Sequence, residues 1–281
     1  MNAREIAEQA SELFVLSDSF IRIKELIDNE SSTIDDIADV IVLDPALAAT
    51  TLKLANSSFF NYPGKIDSIS KSLLVLGITE VYNLVIAYFT RDAFRAISLN
   101  KDFLDKFWEQ SVDCALVVRY LGRAMQIQHA ERLFILGLLH NLGELLVHQL
   151  TEAEYSAYAK QVKAQLPWHV QQQVLGYTFG HCSAELLKFW SLPFSLIEPI
   201  YYQDEHNFEF LTTESKILYI AKRISLFHHD IRDQNIGHFL SPEQQAELSI
   251  DSAMLNDIKG YCDLERLTIL ALLNPGAAMV Y

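Results

Sequence analysis

Basic residues are scarce in this chain: 22 Lys and Arg stand against 36 Asp and Glu, and the resulting net charge of -14 repels phosphate backbones and anionic headgroups at long range. The nearest approach to a basic cluster is Lys65, Lys71, Arg91 and Arg95, scattered cations of the kind that solvate a surface. Nucleic acid is therefore not expected as a partner. Cysteine is also sparse. Cys114, Cys182 and Cys262 are odd in number and far apart, with no Cys-x-x-Cys, which excludes a disulfide framework or a zinc knuckle. Only 10 glycines are present, and Gly122, Gly137 and Gly143 lie inside apolar helical stretches, without the strand-turn-helix context of a phosphate loop. No Gly-x-Ser-x-Gly elbow supports serine hydrolysis. No uninterrupted apolar run approaches the roughly 20 residues of a bilayer span, and the first residues lack the apolar stretch of a signal peptide. The expectation is a cytoplasmic protein without a membrane span.

What the chain does have is hydrophobicity, 50% of its residues, arranged almost throughout at spacings of three and four and nowhere as convincing strand alternation. The fold class is therefore all-α. Thr33-Ile34-Asp35-Asp36 has the outline of a capping box. Asp44-Pro45 restarts the chain with a side-chain acceptor followed by a proline at the first helical position, predicting a helix over 45–56. Further helices are expected near 70–76 and 79–96, which make an N-terminal lobe. Those near 102–126, 130–149, 152–164, 168–176, 181–190, 194–203 and 213–229 make a second. Ser241-Pro242-Glu243-Gln244 signals another start, and a helical tail ends near Leu273. No internal repeat and no separating linker are evident.

Several blocks in order carry a resemblance. Asp44-Pro45-Ala46-Leu47-Ala48-Ala49, Leu52-Lys53-Leu54-Ala55-Asn56-Ser57 with Phe59, Lys65-Ile66-Asp67-Ser68-Ile69, Leu76-Gly77, Asn83-Leu84-Val85, Phe107-Trp108 and Leu136-Gly137-Leu138-Leu139-His140 together resemble the HDOD signalling domain family over about residues 15–210. The resemblance implies an HD-like helical bundle, with an N-terminal helical lobe (15–98) packed on a degenerate HD-like lobe (99–230), followed by a C-terminal helical extension (231–281). It also implies a bacterial regulatory protein related to metal-dependent HD phosphohydrolases but generally without catalysis. No receiver, cyclic-nucleotide or diguanylate cyclase segment accompanies these blocks, so a stand-alone member is expected.

HD enzymes hold divalent metal with several His and Asp ligands, which acidify a bound water and stabilise phosphoryl charge. By the resemblance, Gln110 takes the place of the first histidine, and an amide is a poor ligand for a first-row metal. His140 keeps its place in the central doublet, whereas Asn141 replaces the aspartate with a neutral carbonyl. Glu144 stands where the pattern often has lysine. His181 is retained, Gln203-Asp204 replace paired histidines, and Lys222 stands at the terminal aspartate. No cofactor is expected, and catalytic or metal-binding residues are not assigned. The bland reading of His140 is a core histidine satisfied by its neighbours, and of His181 a helix cap or a partner of His140. Asp204-Glu205-His206 and His228-His229-Asp230 read as solvated helix ends, because adjacent helical residues diverge by about 100°.

The expected function is non-catalytic signal transduction or regulation through an unidentified signalling protein or small ligand. The alternative is a divergent metal-dependent phosphohydrolase rebuilt from His140, His181, Asp204 and Glu144, with divalent metal in the degenerate pocket. A third and weaker reading is an RNA-binding or nucleotide-sensing regulator using the four basic residues, against which the net charge counts.

Overall fold

A computed structural model describes all residues except 58–59, 61, 95–96, 128–129, 163–164, 206, 230–234 and 274–281. The described chain is helical, with no strand among the described residues. It divides into two compact units, one of residues 1–14 and 97–266, the other of 15–96 and 267–281.

Helix α1 (Ala3–Leu13) starts at a reciprocal cap in which Asn2 Oδ1 accepts from Glu5 N and Glu5 accepts from Asn2 N. This satisfies two of the amides that a helix start leaves open. Its buried stripe is Ile6, Ala7 and Ala10.

The unit of residues 15–96 and 267–281 holds α2 (Asp18–Asp28), α3 (Ile34–Val42), α4 (Pro45–Ala55), α5 (Ile69–Leu76) and α6 (Ile78–Ala93). The Thr33–Asp36 box forms as the sequence predicts, and Asp44 Oδ1 accepts from the amides of Ala46 and Leu47 at 3.0 Å. Asn56 ties off α4 by bonding both ways to Ile66, donating to its carbonyl and accepting from its amide. Gly77, at φ 94° and ψ 154°, makes the sharp turn from α5 into α6, a conformation essentially reserved for glycine that costs a residue with a Cβ about 1–3 kcal/mol.

The other unit contains α1 together with α7 (Lys101–Ala124), α8 (Phe134–Leu139), α9 (Leu142–Leu150), α10 (Glu152–Gln161), α11 (Pro167–Leu175), α12 (Phe179–Phe189), α13 (Phe194–Tyr201), α14 (Thr213–His229), α15 (Pro242–Glu247) and most of α16 (Ser252–Leu273). Helix α7 lies against α8 and α14, while α12 packs on α1, α9 and α13. Two close approaches depend on glycine. A Cβ at Gly137 would sit 2.3 Å from Ala115 Cα, and one at Gly143 would sit 2.1 Å from Phe179 O. Neither neighbour is a side chain that could swing aside.

The single helix expected over 130–149 is interrupted. A 3-10 turn over 130–133 leads into α8, and the chain breaks at His140 and Asn141 before α9 begins. The break frees backbone groups that a continuous helix would pair, and other helices take them up. Gln203 Nε2 donates to His140 O at 2.8 Å, Gly143 N donates to Ser183 Oγ at 2.8 Å, and that hydroxyl lies 3.1 Å from His140 O. Among the described residues, no single helix is long and apolar enough to cross a membrane.

Candidate functional site

The break between α8 and α9 opens onto a cavity of about 220 Å³, whose wall includes Gln110, His140, Asn141, Glu144 and Lys222. Five of the eight pocket positions read from the sequence therefore converge there. His140 and Glu144 meet at the cavity across the break rather than along one continuous helical face. Gln203 lies behind the wall, holding the His140 carbonyl.

His140 is 6% exposed. Its Nδ1 lies 2.6 Å from Gly137 O; a carbonyl only accepts, so Nδ1 carries the proton and Nε2 keeps its lone pair. Burial, and after it the Lys222 cation, push the imidazole pKa down to about 4, so the ring is neutral at physiological pH. Glu144 accepts from Tyr155 Oη at 3.0 Å and from the Asn141 amide. Burial raises its carboxyl above the ordinary value, against the pull of those two donors.

Lys222 dominates the electrostatics. Its Nζ donates to both oxygens of Asp204 at 2.8 Å, with the two side chains only 10% and 6% exposed. Arg223 adds a longer contact to Asp204 at 3.9 Å, and its guanidinium lies 4.0 Å from the centroid of the Trp168 ring. Burial alone would raise the Asp204 carboxyl. The Lys222 and Arg223 charges and the Lys222 hydrogen bonds overturn that and hold it below the usual range. The expectation of a solvated helix end at Asp204 is therefore corrected, since the residue is an internal anion kept in place by a lysine 18 positions along the chain.

His181 is not in this cavity. It lines a neighbouring one of about 510 Å³, with Tyr201 and Asp204. Its Nδ1 accepts from Thr178 N at 3.3 Å, capping its own helix, and its ring sits 4.7 Å from that of Tyr201. Trp168 borders both cavities, and the Lys222–Asp204 pair reaches from one to the other.

Functional candidates that sequence reasoning passed over include Ser111, Asp113 and Trp168. Asp113 is 3% exposed and bridges two helices, accepting at 2.6 Å from Arg266 Nε of α16 and lying 2.6 Å from His229 Nε2 of α14. His229 is thus held by a partner rather than being a solvated helix end. His206 and Asp230, from the same two polar runs, lie outside the described residues. The signal for Asp113 was its place three residues after Gln110, on the same side of α7. Of the basic residues, Lys71 pairs with Asp67 and Arg91 lies over the Tyr88 ring, while Arg95 lies outside the described residues.

A divalent metal needs several imidazole, thiolate or carboxylate ligands converging on one point. Among the described residues, no group of three or more His, Cys, Asp or Glu side chains is placed to share an ion. His140 and His181 line separate cavities, Asp204 is engaged by an ammonium, and Asn141 and Gln110 offer only amides. The residues present do not fit the metal of an HD hydrolase.

The HDOD domain model matches residues 13–206. An uncharacterized protein of Treponema pallidum (strain Nichols) is 28% identical over 224 residues, which is 77% of this chain but 42% of that relative. A crystal structure of a candidate phosphohydrolase from Shewanella amazonensis SB2B superposes with a TM-score of 0.68 at 22% identity, covering 98% of this chain and 97% of that one. An HDOD domain protein of unknown function from Geobacter sulfurreducens gives 0.66 at 19% identity, over 97% and 96%. A candidate signal transduction protein from Marinobacter aquaeolei VT8 gives 0.67 at 19%, over 99% of this chain and 66% of that one. At these identities the superpositions establish the all-helical fold.

Proposed function

Since this chain belongs to the HDOD domain family, we propose that it is a non-catalytic regulatory protein of bacterial signal transduction, acting through a partner protein or a small ligand. The regulatory body is assigned to residues 15–210, with 231–281 as a C-terminal extension, and the degenerate pocket to Gln110, His140, Asn141, Glu144 and Lys222, backed by Gln203 and Asp204, with His181 in the neighbouring cavity.

One observation carries this reading: the Lys222 ammonium is salt-bridged to Asp204 at the wall of the cavity. A dication seeking Asp204 as a ligand would have to displace a lysine already desolvated and bonded to both carboxylate oxygens. It would then sit against that lysine's charge in a poorly screened interior. Asn141 supplies no compensating anion. The pocket thus carries its own covalently attached cation, and one that cannot acidify a water as a metal does.

The test is metal binding and hydrolysis by the purified chain. With Mn²⁺, Fe²⁺ or Ni²⁺, no stoichiometric binding and no phosphoesterase activity are expected. Tight one-to-one binding with turnover that is lost in His140→Ala would establish the phosphohydrolase instead.

A further inference from the structure

The ionisable groups around the small cavity are all engaged by neighbouring groups. Lys222 is matched by Asp204, His229 shares Asp113 with Arg266, and the Glu144 carboxylate is held by Tyr155 and Asn141. A phosphate or carboxylate entering the cavity would meet Glu144 in a poorly screened interior. An ammonium would meet Lys222. The complementary ligand is uncharged.

Hydrogen-bonding capacity is nonetheless left over. Ser111 is 1% exposed, lines the cavity, and its Oγ has no hydrogen-bond partner among the described residues. A buried hydroxyl in that state costs about 1–3 kcal/mol until something bonds to it. His140 Nε2 is an acceptor, because Nδ1 is turned to the Gly137 carbonyl. Asn141 bonds to Glu144 through its amide nitrogen, so its carbonyl oxygen is an acceptor as well. The residues that carry these donor and acceptor functions line one cavity.

The rest of the wall mixes the aromatic rings of Trp168, Tyr158 and Phe179 with the polar Gln171, Ser225 and His229, a lining that suits a polar ring better than a flexible apolar chain. The volume of about 220 Å³ lies below the ~300–1,000 Å³ of sites for drug-sized molecules, which restricts the occupant to one ring or two fused rings.

Resting on the metal-free reading above, we infer that this cavity is a binding site for an uncharged planar heterocycle bearing both hydrogen-bond donors and acceptors, the chemistry of a free purine or pyrimidine base. Ser111 and His140 Nε2 read its edge, and Trp168 and Phe179 bound its faces.

Isothermal titration of the full chain with adenine, hypoxanthine, cytosine and uracil tests this, with AMP and indole as comparators. At least one base should bind one-to-one and more tightly than either comparator. Ser111→Ala should weaken that base about 3–10-fold, the worth of one hydrogen bond, without lowering the melting temperature of the free protein, since the hydroxyl has no partner there. AMP binding as tightly as the base would show that a charged group is accepted, and indole doing so would show that the edge contacts carry nothing. Either result, an unchanged affinity in Ser111→Ala, or no binding by any base overturns the assignment. A chain that binds no base and no metal defeats this inference alone, whereas one that binds Mn²⁺ and hydrolyses a phosphoester defeats the regulatory reading on which it rests.

Discussion

Replacing Lys222 with methionine keeps most of the side chain's volume and removes the ammonium that bonds both oxygens of Asp204 at 2.8 Å. The carboxylate is left 6% exposed, with only the Arg223 contact at 3.9 Å. Removing one partner from a buried pair costs about 3–5 kcal/mol, because the other charge stays buried. The surviving Arg223 contact puts the expected loss near the lower bound, about 3 kcal/mol. At ~2–4 °C per kcal/mol for a unit of this size, the melting temperature should fall by about 6–12 °C. Lys222→Met with Asp204→Leu removes both charges together, and a buried pair replaced by apolar groups is often neutral or better. The double variant should therefore recover at least half of the loss. Calorimetry on the wild type, both singles and the double supplies the cycle. A shift under about 2 °C in Lys222→Met, or a double variant no more stable than that single, would refute a tight internal ion pair.

Three further outcomes are expected. His140 has a folded-state pKa of about 4 against an unfolded value near 6.5; its contribution is full above pH 6.5 and is lost as pH falls toward 4, on the order of 3 kcal/mol. His140→Gln should flatten that part of a urea-denaturation pH profile, and an unchanged profile would show that the ring is not held neutral. Gly143→Ala, which drives a Cβ onto Phe179 O, should cost about 1–3 kcal/mol or more in thermal melts, while Gly260→Ala, with open space around it, should be neutral or slightly stabilising. Asp113→Asn weakens the contacts to His229 and Arg266 at about 1.5–3 kcal/mol for a charged hydrogen bond. It should raise hydrogen exchange selectively along α16, and uniform exchange across the chain would contradict a local clasp.

Much of the helical architecture was legible because its signals are local. The Thr33–Asp36 box, Asp44-Pro45 and Ser241-Pro242 each satisfy amides within a few residues, and all three start helices as read. The break at His140-Asn141 was not legible. The apolar run continues through it, and the groups that compensate it, Gln203 and Ser183, come from elsewhere in the chain. Asp204 was misread for a related reason: Asp204-Glu205-His206 is polar enough to look solvated, and only a lysine one helix later makes its burial affordable. The pocket set built by resemblance placed five residues on one cavity, but it could not show that His181 faces a different one. Ser111 and Trp168 carried no pattern at all, since a serine and a tryptophan in apolar helices read as core.

The Lys222–Asp204 pair also constrains how this chain could change over time. Restoring an acidic ligand at Asn141 alone would put a second carboxylate beside Glu144 with no metal to balance it. Exchanging Lys222 for aspartate alone would set two carboxylates against each other, with the Arg223 guanidinium 3.9 Å from Asp204 to share between them. Each single reversion is thus expected to be less stable than the present protein, and a variant carrying both, with histidine at Gln110, should regain stability only when Mn²⁺ is supplied. Melting the singles and the triple variant with and without Mn²⁺ would show whether the lysine bars every one-step route to a metal site.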